Sequence, residues 1–273
     1  MVRDEVSFLT LRVSESLAFI YFLYLAIVCW LRPLSRARRT QVAVVSAGML
    51  VVVMLIANGA SRAVRDWAPA FYILVGYFLP GRFFERPSTR FEAWLMDWDQ
   101  RLLGDPTTRF ASWPRPLVVY LDIVYMGCFL MLPGGFLALA LGGHADAADR
   151  YWTLVAGADF AAFLSLTVLQ ARPPWALERT PELASAAVHR AALVFVRRGT
   201  IGANTFPSGH TAVSFAVSYA LLPVLPSIGL VSLFLSVTIG VACIVGRYHY
   251  VIDVVTGVLL SLAVLGAVSM VRF

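Results

Sequence analysis

Lysine is absent from this chain of 273 residues, so its 22 basic residues are all arginine. Charge is scarce altogether: 14% charged residues against 59% hydrophobic ones, with a mean hydropathy of +0.76, exclude an ordinary soluble domain. Cysteine is scarce as well. Cys29, Cys128 and Cys243 fall in or beside apolar runs, without the paired spacing of metal sites or disulfide frameworks, and are silent about redox compartment. The sequence shows no internal repeat, no low-complexity linker and no basic-aromatic nucleic-acid module. Its net charge of +6 therefore fits membrane topology and anionic headgroups better than nucleic acid.

What the chain does contain is a series of apolar runs close to the roughly 20 residues needed to cross a bilayer. Spans are expected over residues 17–31, 42–57, 116–141, 152–169, 208–225, 228–245 and 251–270. An eighth run, 69–79, is short enough to suit a re-entrant or interfacial piece as well as a spanning one. The fold class expected is all-α, a polytopic transmembrane helical bundle of about six to eight spans. Residues 1–115 would form N-terminal transmembrane helices and an interfacial segment, and 116–273 a second transmembrane unit that carries the motifs below. Segment 1–16 carries Arg3, Asp4, Glu5, Arg12 and Glu15, and no small-residue cleavage pattern follows the first apolar run, which is therefore expected to stay. Between Arg82 and Arg115, Phe91, Trp94, Leu95 and Trp98 recur at helical spacing, as in a helix lying along the headgroups.

Arg32, Arg36, Arg38 and Arg39 crowd one short loop, which the positive-inside rule places in the cytoplasm. If 69–79 does not span, the loops holding Arg172, His210 and His249 emerge on the opposite face; if it spans, they face the cytoplasm. An extracytoplasmic site is the placement expected here.

Two histidine motifs carry the chemistry. In Phe206-Pro207-Ser208-Gly209-His210, Pro207 suits the first turn of a helix. Unpaired N–H groups near Ser208, Gly209 and His210 would then cradle an anion. The bland alternative is a proline-initiated membrane helix with a capping serine. In His249-Tyr250-Val251-Ile252-Asp253, a histidine and a carboxylate four residues apart share one helix face, and an unused ionisable pair beside an apolar span is expensive. Nε2 of His249 can attack phosphorus while Asp253 accepts the Nδ1 proton and His210 protonates the departing oxygen. A purely structural His-Asp bond is the competing reading. A guanidinium fork suits the equatorial oxygens of a transferring phosphoryl group; Arg172 and Arg247 are the candidates, with headgroup anchoring as their alternative.

Arg172-Pro173, Pro207-Ser208-Gly209-His210 and His249 with Asp253 resemble the three ordered motifs of the type 2 phosphatidic acid phosphatase (PAP2) superfamily. The resemblance covers roughly 152–270. It implies a PAP2-like catalytic core within 116–273, with catalytic His249, His210 and Asp253 and phosphate-binding Arg172, Ser208 and Gly209; Arg247, outside those motifs, is the further phosphate-binding candidate. It implies no metal, no cofactor and a phosphohistidine on His249. Two departures stand out: Ser165 occupies the place of a first-motif lysine, and Ala242-Cys243 that of a third-motif Ser-Arg pair. The His-Tyr-x-x-Asp form and Pro173-Pro174-Trp175 are more similar to the branch of inositol-phosphoceramide and sphingomyelin synthases. The function expected is that of a metal-independent lipid phosphate phosphatase. The alternatives are a phospho-headgroup transferase and a non-catalytic transporter or lipid-binding scaffold. Its partners would be a lipid phosphate or phospholipid, an alcohol or lipid acceptor, and membrane lipids, with no nucleic acid.

Other polar residues receive plainer expectations. Asp159 should find a partner inside the bundle, although an intramembrane carboxylate can also line a transport path. Asp122 should make a satisfied hydrogen bond. His144 and His189 are read as loop residues without function, and Arg197 and Arg198 as a basic loop near the headgroups or in solvent.

Overall fold

The computed structural model describes residues 11–177 and 187–273, apart from the side chains of 187 and 189. Arg3, Asp4 and Glu5 lie outside the described residues. Within them the chain is helical, without a named strand. The helices are α1 (Val13–Leu31), α2 (Arg36–Gly59), α3 (Arg62–Phe78), α4 (Thr89–Leu103), α5 (Pro106–Ala111) and α6 (Arg115–Leu141). They continue with α7 (Ala148–Leu164), α8 (Pro174–Leu177), α9 (Ala187–Gly199), α10 (Gly209–Leu221), α11 (Pro226–Val245) and α12 (Val251–Ser269). Local chemistry sets several starts. Ser35, Ser61, Ser88 and Ser208 cap α2, α3, α4 and α10 by accepting a backbone N–H three residues on, and Pro226 opens α11 where its missing N–H costs nothing.

Among the described residues five helices, α1, α2, α6, α11 and α12, are long and apolar enough to cross a membrane. The runs expected at 152–169 and 208–225 became the shorter α7 and α10, which form the interior of the bundle. α10 has 13 residues, nearly all buried, and packs against α6, α7, α11 and α12. Small residues let these backbones approach, and Ser218 on α10 shares a hydrogen bond of 2.9 Å with Ser236 on α11. Gly257 of α12 lies where the chain turns into α10: a Cβ there would come within 2.8 Å of the Ser208 carbonyl oxygen.

Both ends of the bundle are tied by polar contacts. At one end the Asp149 carboxylate accepts from the backbone N–H groups of Val13 and Ser14, Arg65 pairs with Glu15 at 2.6 Å, and Arg12 pairs with Asp66. At the other end Arg38 donates to the Phe84 carbonyl at 2.9 Å, and the Gln170 side chain accepts from the N–H groups of Glu85 and Arg86. The 69–79 run is the C-terminal part of α3, which starts among the Arg65 and Asp66 contacts and delivers the chain to the Arg38 end. α3 thus traverses the same height as α1 and α2. The arginine-rich loop and the loop before Arg172 consequently lie at one end of the bundle.

Two loop expectations are corrected. His189, Arg197 and Arg198 belong to helix α9, and Arg197 lies 5.4 Å from the Trp175 ring centroid. The expected bond of Asp122 is present, donated by the Tyr248 hydroxyl at 2.8 Å.

Gly257→Val should force α12 away from the Ser208 turn and cost about 1–3 kcal/mol. Thermal unfolding of the purified protein in detergent should show a lowered midpoint, and an unchanged midpoint would mean that this approach is not close in solution.

Candidate active site

The loop between α11 and α12 carries His249, and its shape follows from how α11 ends. Gly246 caps the helix, and Arg247 follows in the left-handed region at φ 58°. That conformation normally favours glycine, because a Cβ crowds the backbone there. It turns the chain so that the N–H groups of both Tyr248 and His249 bond to the Cys243 carbonyl. Tyr248 then stacks on Tyr125 of α6 with ring centroids 3.9 Å apart.

His249 and Asp253 meet, but not on one helix face as the spacing suggested. Tyr250 is the N-cap of α12, so His249 precedes the helix and Asp253 sits in its first turn. The Asp253 Oδ2 accepts from the Tyr250 N–H at 3.0 Å, as in a capping box, and lies 3.4 Å from His249 Nδ1. With the carboxylate as acceptor, His249 carries its proton on Nδ1 and leaves the Nε2 lone pair free. Nε2 faces His210 Nδ1 at 3.3 Å. Burial pushes the His249 pKa down to about 3, which keeps the ring neutral and its lone pair available near neutral pH.

Pro207 precedes the cap instead of entering the first turn of α10. The expected row of free N–H donors is corrected accordingly. The Ser208 N–H donates to the Asp253 carbonyl at 2.9 Å, and the Gly209 N–H to the Thr205 hydroxyl at 3.2 Å. The Ser208 hydroxyl accepts from the Thr211 N–H. Gly209 packs on Phe163, whose ring would lie 3.0 Å from an added Cβ.

Both arginines are held by carboxylates of α4. Arg172 forms a fork with Glu92, Nε to Oε1 at 2.9 Å and a terminal nitrogen to Oε2 at 2.8 Å, and its own N–H also donates to Oε1. Arg247, 1% exposed, pairs with Asp99 at 2.8 Å, and the other Asp99 oxygen accepts the Val251 N–H at the start of α12. Sequence reasoning missed these acids. Their signal was the seven-residue spacing of Glu92 and Asp99 around buried Leu95, which puts both on the inner face of the helix read as interfacial. Phe91 and Trp94 stack 5.8 Å apart and both pack edge-on against Phe206, so α4 covers the loops of the site.

The two clamps differ physically. Burial raises the Asp99 pKa despite the opposing charge of Arg247, so desolvation outweighs attraction in that pair. Hydrogen bonds from Arg172 hold Glu92 below the usual carboxylate range, and the Arg172 side chain is 43% exposed. Asn204 joins the cluster from a third loop: its N–H donates to the Ala171 carbonyl at 2.9 Å, and its side chain adjoins Asp253. Ser165 ends α7 with its hydroxyl donating to the Ala162 carbonyl, and Cys243 is buried inside α11.

Asp99→Ala should cost about 3–5 kcal/mol, because it removes the carboxylate paired with a buried guanidinium. Glu92→Gln should cost about 1 kcal/mol or less, since its partner is solvated. Because the Glu92 pKa is depressed in the fold, its contribution is present above the ordinary carboxylate range and disappears as pH falls through the folded value. Thermal unfolding of wild type on acidification should therefore show a loss that Glu92→Gln lacks; parallel curves would exclude the clamp.

Residues 149–273, a little under half of the chain, match the sequence model of the PAP2 superfamily. A PA-phosphatase related-family protein of Dictyostelium discoideum is 41% identical over 56 residues, covering 20% of this chain and 10% of that protein. The chain thus spans a small part of the curated relative it resembles. No solved structure matches the chain. The matched segment contains Arg172, Ser208, Gly209, His210, His249 and Asp253.

Proposed function

We propose that the protein is a lipid phosphate phosphatase that works through a phosphohistidine. The observation that carries this reading is His249, with Nδ1 against Asp253 and Nε2 facing His210. In the first step Nε2 attacks phosphorus, the P–O bond to the lipid breaks, and the departing oxygen takes a proton from His210. Asp253 goes on accepting from the His249 Nδ1–H and stabilises the cationic ring. In the second step water attacks phosphorus, His210 takes its proton, the P–N bond breaks and phosphate leaves. The facing nitrogens are 3.3 Å apart, so His210 must turn aside for the phosphoryl group to enter between them. Arg172, the more exposed arginine, exchanges Glu92 for the phosphoryl oxygens, while Arg247 shapes the loop that presents His249. Ser208 and Gly209 contribute through the turn that fixes His210.

A phospho-headgroup transferase uses the same two steps with a lipid or polyol hydroxyl in place of water. The burial of His249, 4% exposed, favours that second reading, because an acceptor delivered from the bilayer needs no open path to bulk water. On topology, the site end of the bundle also carries Arg32, Arg36, Arg38 and Arg39, which supports a cytoplasmic site by the positive-inside rule.

Purified wild type in chelator should release phosphate from lipid phosphomonoesters, or form a new phospholipid when inositol or ceramide is supplied. His249→Ala and His210→Ala should each lower turnover by at least about 100-fold. Full activity in either variant would remove this mechanism, and turnover strictly dependent on added divalent metal would remove the reading altogether.

A further inference from the structure

A cavity of about 330 Å³ lies beside His210, walled by α3, α6, α7, α9 and α10. Its size is at the lower end of ligand pockets, and its wall is mostly apolar, with Ile73, Leu74, Phe78, Phe129 and Leu132 among its residues. It adjoins the histidine pair. A small space of about 20 Å³ next to His249 shares Tyr77, Phe163 and His210 with the larger one.

One group in that wall has no structural explanation in the bundle. Asp159 of α7 is 5% exposed and lines the cavity, and its Oδ2 has no hydrogen-bond partner among the described residues. The partner expected for it within the bundle is therefore not found there. Tyr77, which shares the cavity, is bonded to Thr200 and to the Ile201 backbone. Ser214 also lines the space; its hydroxyl donates to the Thr211 carbonyl and keeps lone pairs for a further donor. A buried carboxyl without a partner is costly whether charged or neutral.

The position of Asp159 relative to the histidines is fixed by two antiparallel helices. Gly209 of α10 meets Phe163 of α7 at the site end, and further away Gly135 of α6 meets Tyr151 of α7 and Val217 of α10. Asp159 precedes Phe163 by one turn and Ser214 follows His210 by one turn. Both therefore sit roughly 5–6 Å deeper in the bundle than the reacting end.

We propose that this cavity seats the lipid chain of the substrate and that Asp159, with Ser214, reads a hydroxyl on that lipid one helical turn below the phosphorus. The inference rests on the phosphoryl-transfer reading above and narrows its substrate to single-chain lipid phosphates with a free hydroxyl close to the phosphate ester. A hydroxyl satisfies the site in either protonation state, since it donates to a carboxylate and accepts from a carboxylic acid. A plain hydrocarbon does not. Asp159 is thus a specificity determinant, and a lipid without the hydroxyl leaves it unpaired in the complex.

The test is equilibrium binding to the His249→Ala protein in lipid nanodiscs, using two chain-matched lipid phosphates that differ only in the hydroxyl. The hydroxylated lipid should bind about tenfold tighter, the effect of one hydrogen bond in a dry site. Asp159→Val should erase the difference, and Asp159→Asn, whose amide can donate and accept, should keep part of it. Should the valine variant fail to fold, Asp159→Asn and Ser214→Ala must still shrink the ratio. Equal affinities in the parent, a preference that survives Asp159→Val, or a cavity holding only water would overturn the proposal. Phosphate release by wild type is followed in parallel. Its absence with both lipids would sink the phosphoryl-transfer reading, while the binding ratio would still decide the role of Asp159.

Discussion

A carboxylate in an apolar bundle needs partners, and Asp253, through its Oδ2 and its backbone carbonyl, ties three parts of the chain together. Its side chain accepts from the Tyr250 N–H and faces His249 Nδ1, while its carbonyl accepts from the Ser208 N–H. One residue in the first turn of α12 therefore sets the helix start, the tautomer of His249 and the position of the turn that leads to His210. The close contact of Gly257 with that same turn makes the arrangement possible, since any side chain there would separate α12 from Ser208. Packing and hydrogen bonding thus fix the same distance from two directions.

The arginines follow a related logic. A guanidinium buried beside a bilayer is expensive, and α4 supplies a carboxylate for each. The Asp99 pair adds little net stabilisation of its own, because desolvation offsets its attraction. Its consequence is positional. Asp99 also caps the start of α12, so Arg247 is held in a left-handed backbone conformation next to His249. The more exposed fork of Arg172 and Glu92 is the weaker clamp and, in the proposed mechanism, the one an incoming phosphoryl group opens.

Much of this was legible in the sequence. Hydropathy gave the helices, and the two histidine motifs marked the residues that the fold brings together, because such motifs are local and their polar members have few ways to be satisfied in an apolar setting. The remainder depends on contacts distant in sequence. Glu92 lies 80 positions from Arg172, and Asp99 lies 152 from Val251, so no local pattern announces either pair. The short interior helices α7 and α10 were read as spans because burial in protein and burial in lipid produce the same composition. The extent of α3 was hidden because its first turns carry Arg62, Arg65 and Asp66, which are used in ion pairs at the bundle end. Asp159 was expected to be paired, and only the cavity shows where its partner would come from.

The central claim is that phosphorus is transferred to His249 Nε2, and trapping that bond tests it most directly. Wild type would be mixed with a lipid phosphate labelled at phosphorus, quenched within milliseconds in base, and mapped by mass spectrometry. The account predicts an acid-labile, base-stable phosphoryl group on His249, absent from His249→Ala. Turnover with no such adduct, or an adduct on another residue that persists in His249→Ala, would contradict it.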